Sequence, residues 1–149
     1  MSLFSTLSVS ASGMSAQRTR AELLAENLAN ADTTRTPEGG PYRRKDAVFA
    51  TDDAVSPFAS IFEARKNAIS GGGPVGVGVA EIIVDSREPE RRYLPGHPDA
   101  DRQGYVAYPR TNPAEEMVDL MSAARGYQAN VSAISAIKDM IQRSIDLFR

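Results

Sequence analysis

All nine prolines of this chain lie between Pro37 and Pro113, as do nine of its eleven glycines. Proline lacks a backbone donor and clashes with the preceding helical turn, so it is largely excluded from helix interiors. Its placement divides the 149 residues into proline-free flanks, 1–36 and 114–149, around a 77-residue middle rich in turn formers. Only the flanks can carry long uninterrupted helices. Charge does not follow this division: the three segments hold 3 basic and 3 acidic, 10 and 11, and 4 and 5 residues. No part of the chain is therefore a charged tail.

The first flank has helical periodicity. Leu3, Leu7, Met14, Ala21, Leu24, Leu28 and Ala31 fall on one 3-4 seam, with Ser10 and Gln17 filling its remaining positions. Ser15 to Leu28 is rich in helix formers, whereas the serine-rich first dozen residues make a marginal helix alone. Asn30 to Thr36 reads as the exit. The last flank opens on Asn112-Pro113-Ala114-Glu115, a cap, a first-turn proline and a capping-box glutamate. Its apolar stripe is Met117, Leu120, Ala124, Tyr127, Val131, Ile134, Ile137, Ile141, Ile145 and Phe148. At ~1.5 Å per residue such a helix reaches about 54 Å, too long for a 16.1 kDa globule to cover on all sides. The narrow seams favour terminal helices that pair with each other and with neighbouring subunits. Many seam positions are Ala or Ser and bury little area at ~25 cal/mol per Å², so one pair is weak and repeated neighbours are needed.

The middle predicts a β-rich unit of four or five strands. Candidates are Tyr42–Phe49, Val75–Asp85, Arg91–Leu94 and Tyr105–Tyr108. Ser56–Lys66 reads as a short helix or strand, and Asn67–Pro74 as a mobile loop. The expected fold class is α+β: long terminal helices pairing in coiled-coil fashion (1–36 and 114–149), with a small β-rich domain (37–113) inserted between them.

Little of this carries chemistry. The chain has no cysteine and one histidine, which excludes a disulfide framework, thiol catalysis and a multi-histidine metal site. A net charge of −2 suits neither general nucleic-acid binding nor an anionic membrane. No stretch approaches the ~20 apolar residues of a membrane span, and serines interrupt the N-terminus where a secretory signal would be apolar. Gly71-Gly72-Gly73-Pro74-Val75-Gly76 matches G-x-G-x-x-G but precedes a strand, the wrong context for a nucleotide. Asp99 to Gly104 resembles the start of a calcium loop but has Arg110 where the bidentate glutamate belongs. His97, with Asp99 and Asp101 nearby, is the one candidate base, and a turn histidine is the better reading. Arg43-Arg44-Lys45 and Arg91-Arg92 read as a solvated strand face or a protein interface. No catalytic residue, cofactor or metal is expected.

Two signatures then point to a family. Ser12-Gly13-Met14-Ser15-Ala16-Gln17 with Ala25-Glu26-Asn27-Leu28-Ala29-Asn30-Ala31-Asp32-Thr33-Thr34 resembles the N-terminal signature of bacterial flagellar rod and hook proteins. Glu115 to Leu120 and Arg125-Gly126-Tyr127-Gln128-Ala129-Asn130-Val131 resemble the matching C-terminal signature. Arg35 to Lys45, Tyr93 to Asp101 and the short length resemble the proximal-rod branch. Asp32 stands where the family commonly has Asn, and Gly126 where a better helix former is usual.

The resemblance implies a structural subunit, not an enzyme, that polymerises into a helical tube, transmits motor torque, encloses the export channel and supports motility. It implies export through the flagellar type III apparatus without a cleaved Sec signal, and a periplasm-spanning place in the basal body. The implied partners are copies of itself, other rod proteins, the export apparatus, and the membrane ring with its adaptor; nucleic acid, membrane insertion and small-molecule substrates are not implied. Absence of cysteine suits a chain threaded unfolded into an oxidising compartment. The expected subunit contacts are Met14, Leu24, Asn27, Leu28 and Asn30, and Met117, Leu120, Tyr127, Asn130, Val131, Ile134, Ile141 and Ile145. The alternatives are another short axial protein of the same rod, or a small periplasmic binding module with His97 in its site.

Overall fold

The computed structural model describes residues 3–51 and 75–147. The expected element at Ser56–Lys66 and the glycine-rich loop Gly71–Pro74 lie outside the described residues, as does Phe148. The architecture is α+β. Helix α1 (Leu3–Ala29) is followed by strands β1 (Lys45–Thr51), β2 (Val77–Val84), β3 (Glu90–Tyr93) and β4 (Tyr105–Tyr108), and helix α2 (Pro113–Leu147) closes the order. Among the described residues, the middle holds two antiparallel two-stranded sheets, β1–β2 and β3–β4.

α2 starts as its sequence specifies. The Asn112 side-chain oxygen accepts a hydrogen bond from the Ala114 amide at 3.1 Å, satisfying one of the orphan donors of the first turn. α1 is helical from Leu3 despite its serines, because tertiary packing overrides weak propensity. Ser12 helps at both levels: its hydroxyl donates to the Val9 carbonyl and accepts from the Val77 amide of β2.

The β1–β2 sheet lies along α1 instead of standing away from it. β1 begins beside Asn27, where Lys45 bonds that side chain, and the paired strands end near Ser12. Residues 45 to 51 extend about 20 Å at ~3.4 Å each. Asn27 to Ser12 is a comparable distance along a helix axis. A register shift between Val48 and Phe49 leaves Ala80 without a partner and bends the sheet as it follows the helix. The second hairpin turns on Asp101, whose side chain accepts from the Gln103 and Tyr105 amides, and on Gly104 at φ +84. It is tied to the exit of α1 where the Thr34 hydroxyl donates to Asp99 at 2.8 Å.

Candidate functional site

The helix pair is pinned at one end by a buried polar hub. Asn27 is fully buried and Glu116 is 2% exposed. The Asn27 amide nitrogen donates to the Lys45 carbonyl at 2.8 Å and to Glu116 at 3.1 Å; its oxygen accepts from the Lys45 amide and the Tyr42 hydroxyl, both at 2.9 Å. Every hydrogen-bonding position of that side chain is thus used. The other oxygen of Glu116 accepts from Arg44 Nε, and the carboxylate holds the guanidinium pKa above its ordinary value. Burial, with Glu26 and Glu116 nearby, pushes the Tyr42 phenol up to about 12. Lys45 reaches Glu26 at 2.6 Å. The hub joins the end of α1, the connecting segment and the start of α2.

The two helices run antiparallel in a register fixed by four meetings. Asn27 bonds Glu116, Arg20 reaches Asp119 at 3.6 Å, and Gln17 and Asn130 pack where Gly126 and Gly13 leave room. The seven-residue series Gly13, Arg20, Asn27 on α1 and Glu116, Ala123, Asn130, Ile137 on α2 therefore face each other. This inner seam is small and polar over much of its length.

The apolar stripes expected to form that seam divide: Gln17, Leu24, Leu120, Ile134, Ile137 and Ile141 lie at it, and the rest stand beside it. Leu7, Met14, Ala21 and Leu28 on α1, and Met117, Ala124, Val131 and Ile145 on α2, each sit one position on from a seam residue. In an antiparallel pair, one step on from the seam turns to the same side of the pair on both helices. The α1 residues of this row are half-buried, while Met117, Val131 and Ile145 are 53%, 43% and 55% exposed. The opposite side of α1, including Ala16 and Leu23, is buried, and the β1–β2 sheet bonds α1 there at Ser12 and Glu26. The sheet thus covers that side of α1 alone and does not reach α2, while the opposite side of the pair carries an uncovered, mainly apolar row, interrupted on α2 by exposed Lys138.

The expected contact residues divide accordingly. Leu24 and Asn27 are buried inside the chain, Asn130 packs on Gly13, and Leu120, Ile134 and Ile141 are half-buried at the seam. Asn30 closes the end of α1, donating to the Glu26 carbonyl and accepting from Thr33. Met14, Leu28, Met117, Tyr127, Val131 and Ile145 belong to the uncovered side. Sequence reasoning missed Tyr42, Arg44 and Glu116. A glutamate in the first helical turn also suits the helix dipole, which hides Glu116 in the sequence; its seven-residue spacing from Ala123 is the signal that puts it on the seam. Gly126 likewise reads as a defect in the sequence, whereas a Cβ there would sit 3.2 Å from Gln17 Cδ.

His97 is built into a turn. Its Nδ1 accepts from the Asp99 amide at 3.1 Å, while the Asp99 carboxylate faces Thr34 and Arg35. That carboxylate is engaged elsewhere, so the His97–Asp99 base–orienter pair of the binding-module alternative does not form. Among the described residues no group of three acidic or histidine side chains could hold a metal ion, and no helix is long and apolar enough to cross a membrane.

Comparison with known proteins agrees with this layout of the two ends. Residues 7–35 match the family described as flagella basal body rod protein, and residues 102–147 match the flagellar basal body rod FlgEFG protein C-terminal family. The flagellar basal-body rod protein FlgC of Bacillus subtilis is 40% identical over 151 residues, covering 99% of both chains. That of Borreliella burgdorferi is 38% identical over 153 residues, covering 100% of this chain and 99% of its own. That of Escherichia coli O6:H1 is 38% identical over 147 residues, with 99% and 98% covered. With its ends matched to rod domains and its full length shared with these relatives, the chain belongs to the flagellar basal-body rod protein family, of the FlgC type.

Proposed function

We propose that this chain, a structural subunit of the flagellar basal-body rod, assembles through the uncovered apolar face of its helix pair. The observation that carries the reading is the exposure of Met117, Val131 and Ile145 in one row on the side of the pair away from the sheet, beside half-buried Met14 and Leu28. A row of exposed methionine and aliphatic side chains beside the helix seam has the composition of a protein interface core. Residues 1–36 and 114–149 then act as one discontinuous polymerisation domain, and 37–113 as the part braced on it.

In this reading the occupants of the strip are further copies and other rod proteins, arranged as a helical tube around the export channel. The tube transmits motor torque across the periplasm, and its role is mechanical, not catalytic. Delivery through the type III export apparatus and contact with the membrane ring and its adaptor complete the proposed partners. Met117→Asp and Val131→Asp test the surface. Both chains should keep the helical circular dichroism of the parent and fail to appear in isolated basal bodies. Incorporation at parental levels would remove this face from the assembly.

A further inference from the structure

We propose that Gly13, Gln17, Gly126 and Asn130 form a reciprocal glycine–amide clasp that selects the register of the helix pair. Each helix carries a glycine followed four residues later by an amide side chain, Gly13 and Gln17 on α1, Gly126 and Asn130 on α2. Antiparallel pairing lets each glycine receive the other helix's amide. A Cβ on Gly13 would lie 3.1 Å from both terminal atoms of Asn130, and one on Gly126 would lie 3.2 Å from Gln17 Cδ and 3.4 Å from its Cγ. Neither site has room for a side chain without displacing its partner. The Asn130 amide is further held by donating to the Gly126 carbonyl at 2.9 Å. Gln17 Oε1 is buried with no hydrogen-bond partner among the described residues. Gln17 is therefore placed by the notch, not drawn there by that oxygen's bonding.

The arrangement discriminates between registers. A slip of one turn in one direction sets Gln17 level with Asn130, where two amides collide on a seam closely packed for glycine. A slip in the other sets Gly13 level with Gly126, where nothing fills the seam. Both errors cost packing, the first by overlap and the second by a void. An apolar heptad seam has no such asymmetry, since one Leu layer substitutes for another. The clasp thus supplies, with small residues, the specificity that the weakly apolar seam lacks. It also sets which residues of the outer strip neighbour one another, Met14 with Val131 and Leu28 with Met117, each pair offset by about 3 Å along the axis. The proposal concerns the single chain and stands whether or not that strip docks on a neighbour.

The cysteine-free sequence makes the register directly readable. By the observed register Arg20 comes level with Ala123, and a one-turn slip brings it level with Tyr127. Full-length chains carrying Arg20→Cys with Ala123→Cys, or Arg20→Cys with Tyr127→Cys, are oxidised in dilute solution. The rate of intramolecular cross-linking is then compared. The first pair should close about ten-fold faster than the second. Gly13→Asn should erase most of that preference, and so should Asn130→Ala. The swap Gly13→Asn with Asn130→Gly should restore it, together with any helicity the single change loses. Loss of stability alone does not produce rescue by exchange. An unchanged rate ratio in the single variants, or a swap that fails to restore the ratio, overturns the clasp.

Discussion

Asn27 and Glu116, 89 residues apart in sequence, meet at 3.1 Å in a fully enclosed hydrogen bond between the last turn of α1 and the first turn of α2. The bond matters through its neighbours. The same asparagine also holds both backbone groups of Lys45 and the hydroxyl of Tyr42, so the hub closes the polar accounts of three segments at once.

Removing that side chain should be costly out of proportion to its size. Asn27→Ala leaves the Lys45 amide and carbonyl, the Tyr42 hydroxyl and one Glu116 oxygen without this partner in a largely buried site. At ~1–3 kcal/mol for a buried unsatisfied group, partly relieved by relaxation, a loss of about 2–4 kcal/mol is expected. Asn27→Asp should be worse near neutral pH, because it sets a second carboxylate against Glu116. Urea unfolding followed by circular dichroism reads both. A midpoint within error of the parent for Asn27→Ala would show that the hub is dispensable.

Tyr42 gives the hub an alkaline limit. Its phenol is raised from 10.0 to about 12, chiefly by burial, so the folded chain holds the proton more tightly than the unfolded one. The associated stabilisation is present in full below pH 10 and is lost as pH rises from about 10 to about 12. Tyr42→Phe should lose about 1 kcal/mol at neutral pH with its bond to Asn27. Its stability should then fall less steeply than the parent's across that alkaline window. Urea midpoints measured at several pH values between 7 and 12 make the comparison, and parallel curves would contradict it.

Two glycines at positive φ should respond differently to the same change. Gly104→Ala at φ +84 would place a Cβ 2.9 Å from the Tyr93 ring and 3.2 Å from Pro95, adding a collision to the backbone strain. Gly39→Ala at φ +90 meets nothing within 4 Å. The first should cost more than the ~1 kcal/mol of left-handed strain that bounds the second. Amide exchange at Leu94, which bonds the Gly104 carbonyl, reports the local loss, and equal effects at the two sites would refute the distinction.

Much of the fold is written locally, and the inner seam is not. Asn112-Pro113 announces α2 because capping is a property of adjacent residues. Val77 to Val84 announces a strand because β-branched residues favour a pleated surface. The two apolar stripes are equally visible, yet only part of each, Gln17 and Leu24 on α1 and Leu120, Ile134, Ile137 and Ile141 on α2, lies at the contact between the helices, while Met14, Leu28, Met117, Val131 and Ile145 stand one position beside it. Pattern reading assumes that the most apolar line faces the partner inside the chain. Here the partner inside the chain is met by Gly13, Ala123, Gly126, Asn130 and Glu116. Of these, Asn130 is an expected contact, and the other four read as surface or as a defect when taken singly. Their meaning depends on a register between residues more than 80 positions apart, which no local pattern encodes. The hub is hidden for the same reason: Arg44 and Glu116 look like solvated charges until the fold pairs them and buries the glutamate.

The division of the stripe between the inside of the chain and the open side separates folding from assembly, and paired aspartates should expose the separation. Leu24 is 2% exposed, so Leu24→Asp buries an unpaired carboxylate among apolar neighbours and should destabilise the chain by more than about 3 kcal/mol. Val131 stands on the open side of α2, so Val131→Asp should leave the urea midpoint within about 0.5 kcal/mol of the parent. In sedimentation at rising concentration the order should reverse in meaning. The Leu24 variant should fail because it is not folded, whereas the Val131 variant should remain a folded monomer where the parent associates. A Val131→Asp chain that is itself unfolded would mean the strip supports the fold. A folded one that associates like the parent would mean the rod contacts lie elsewhere.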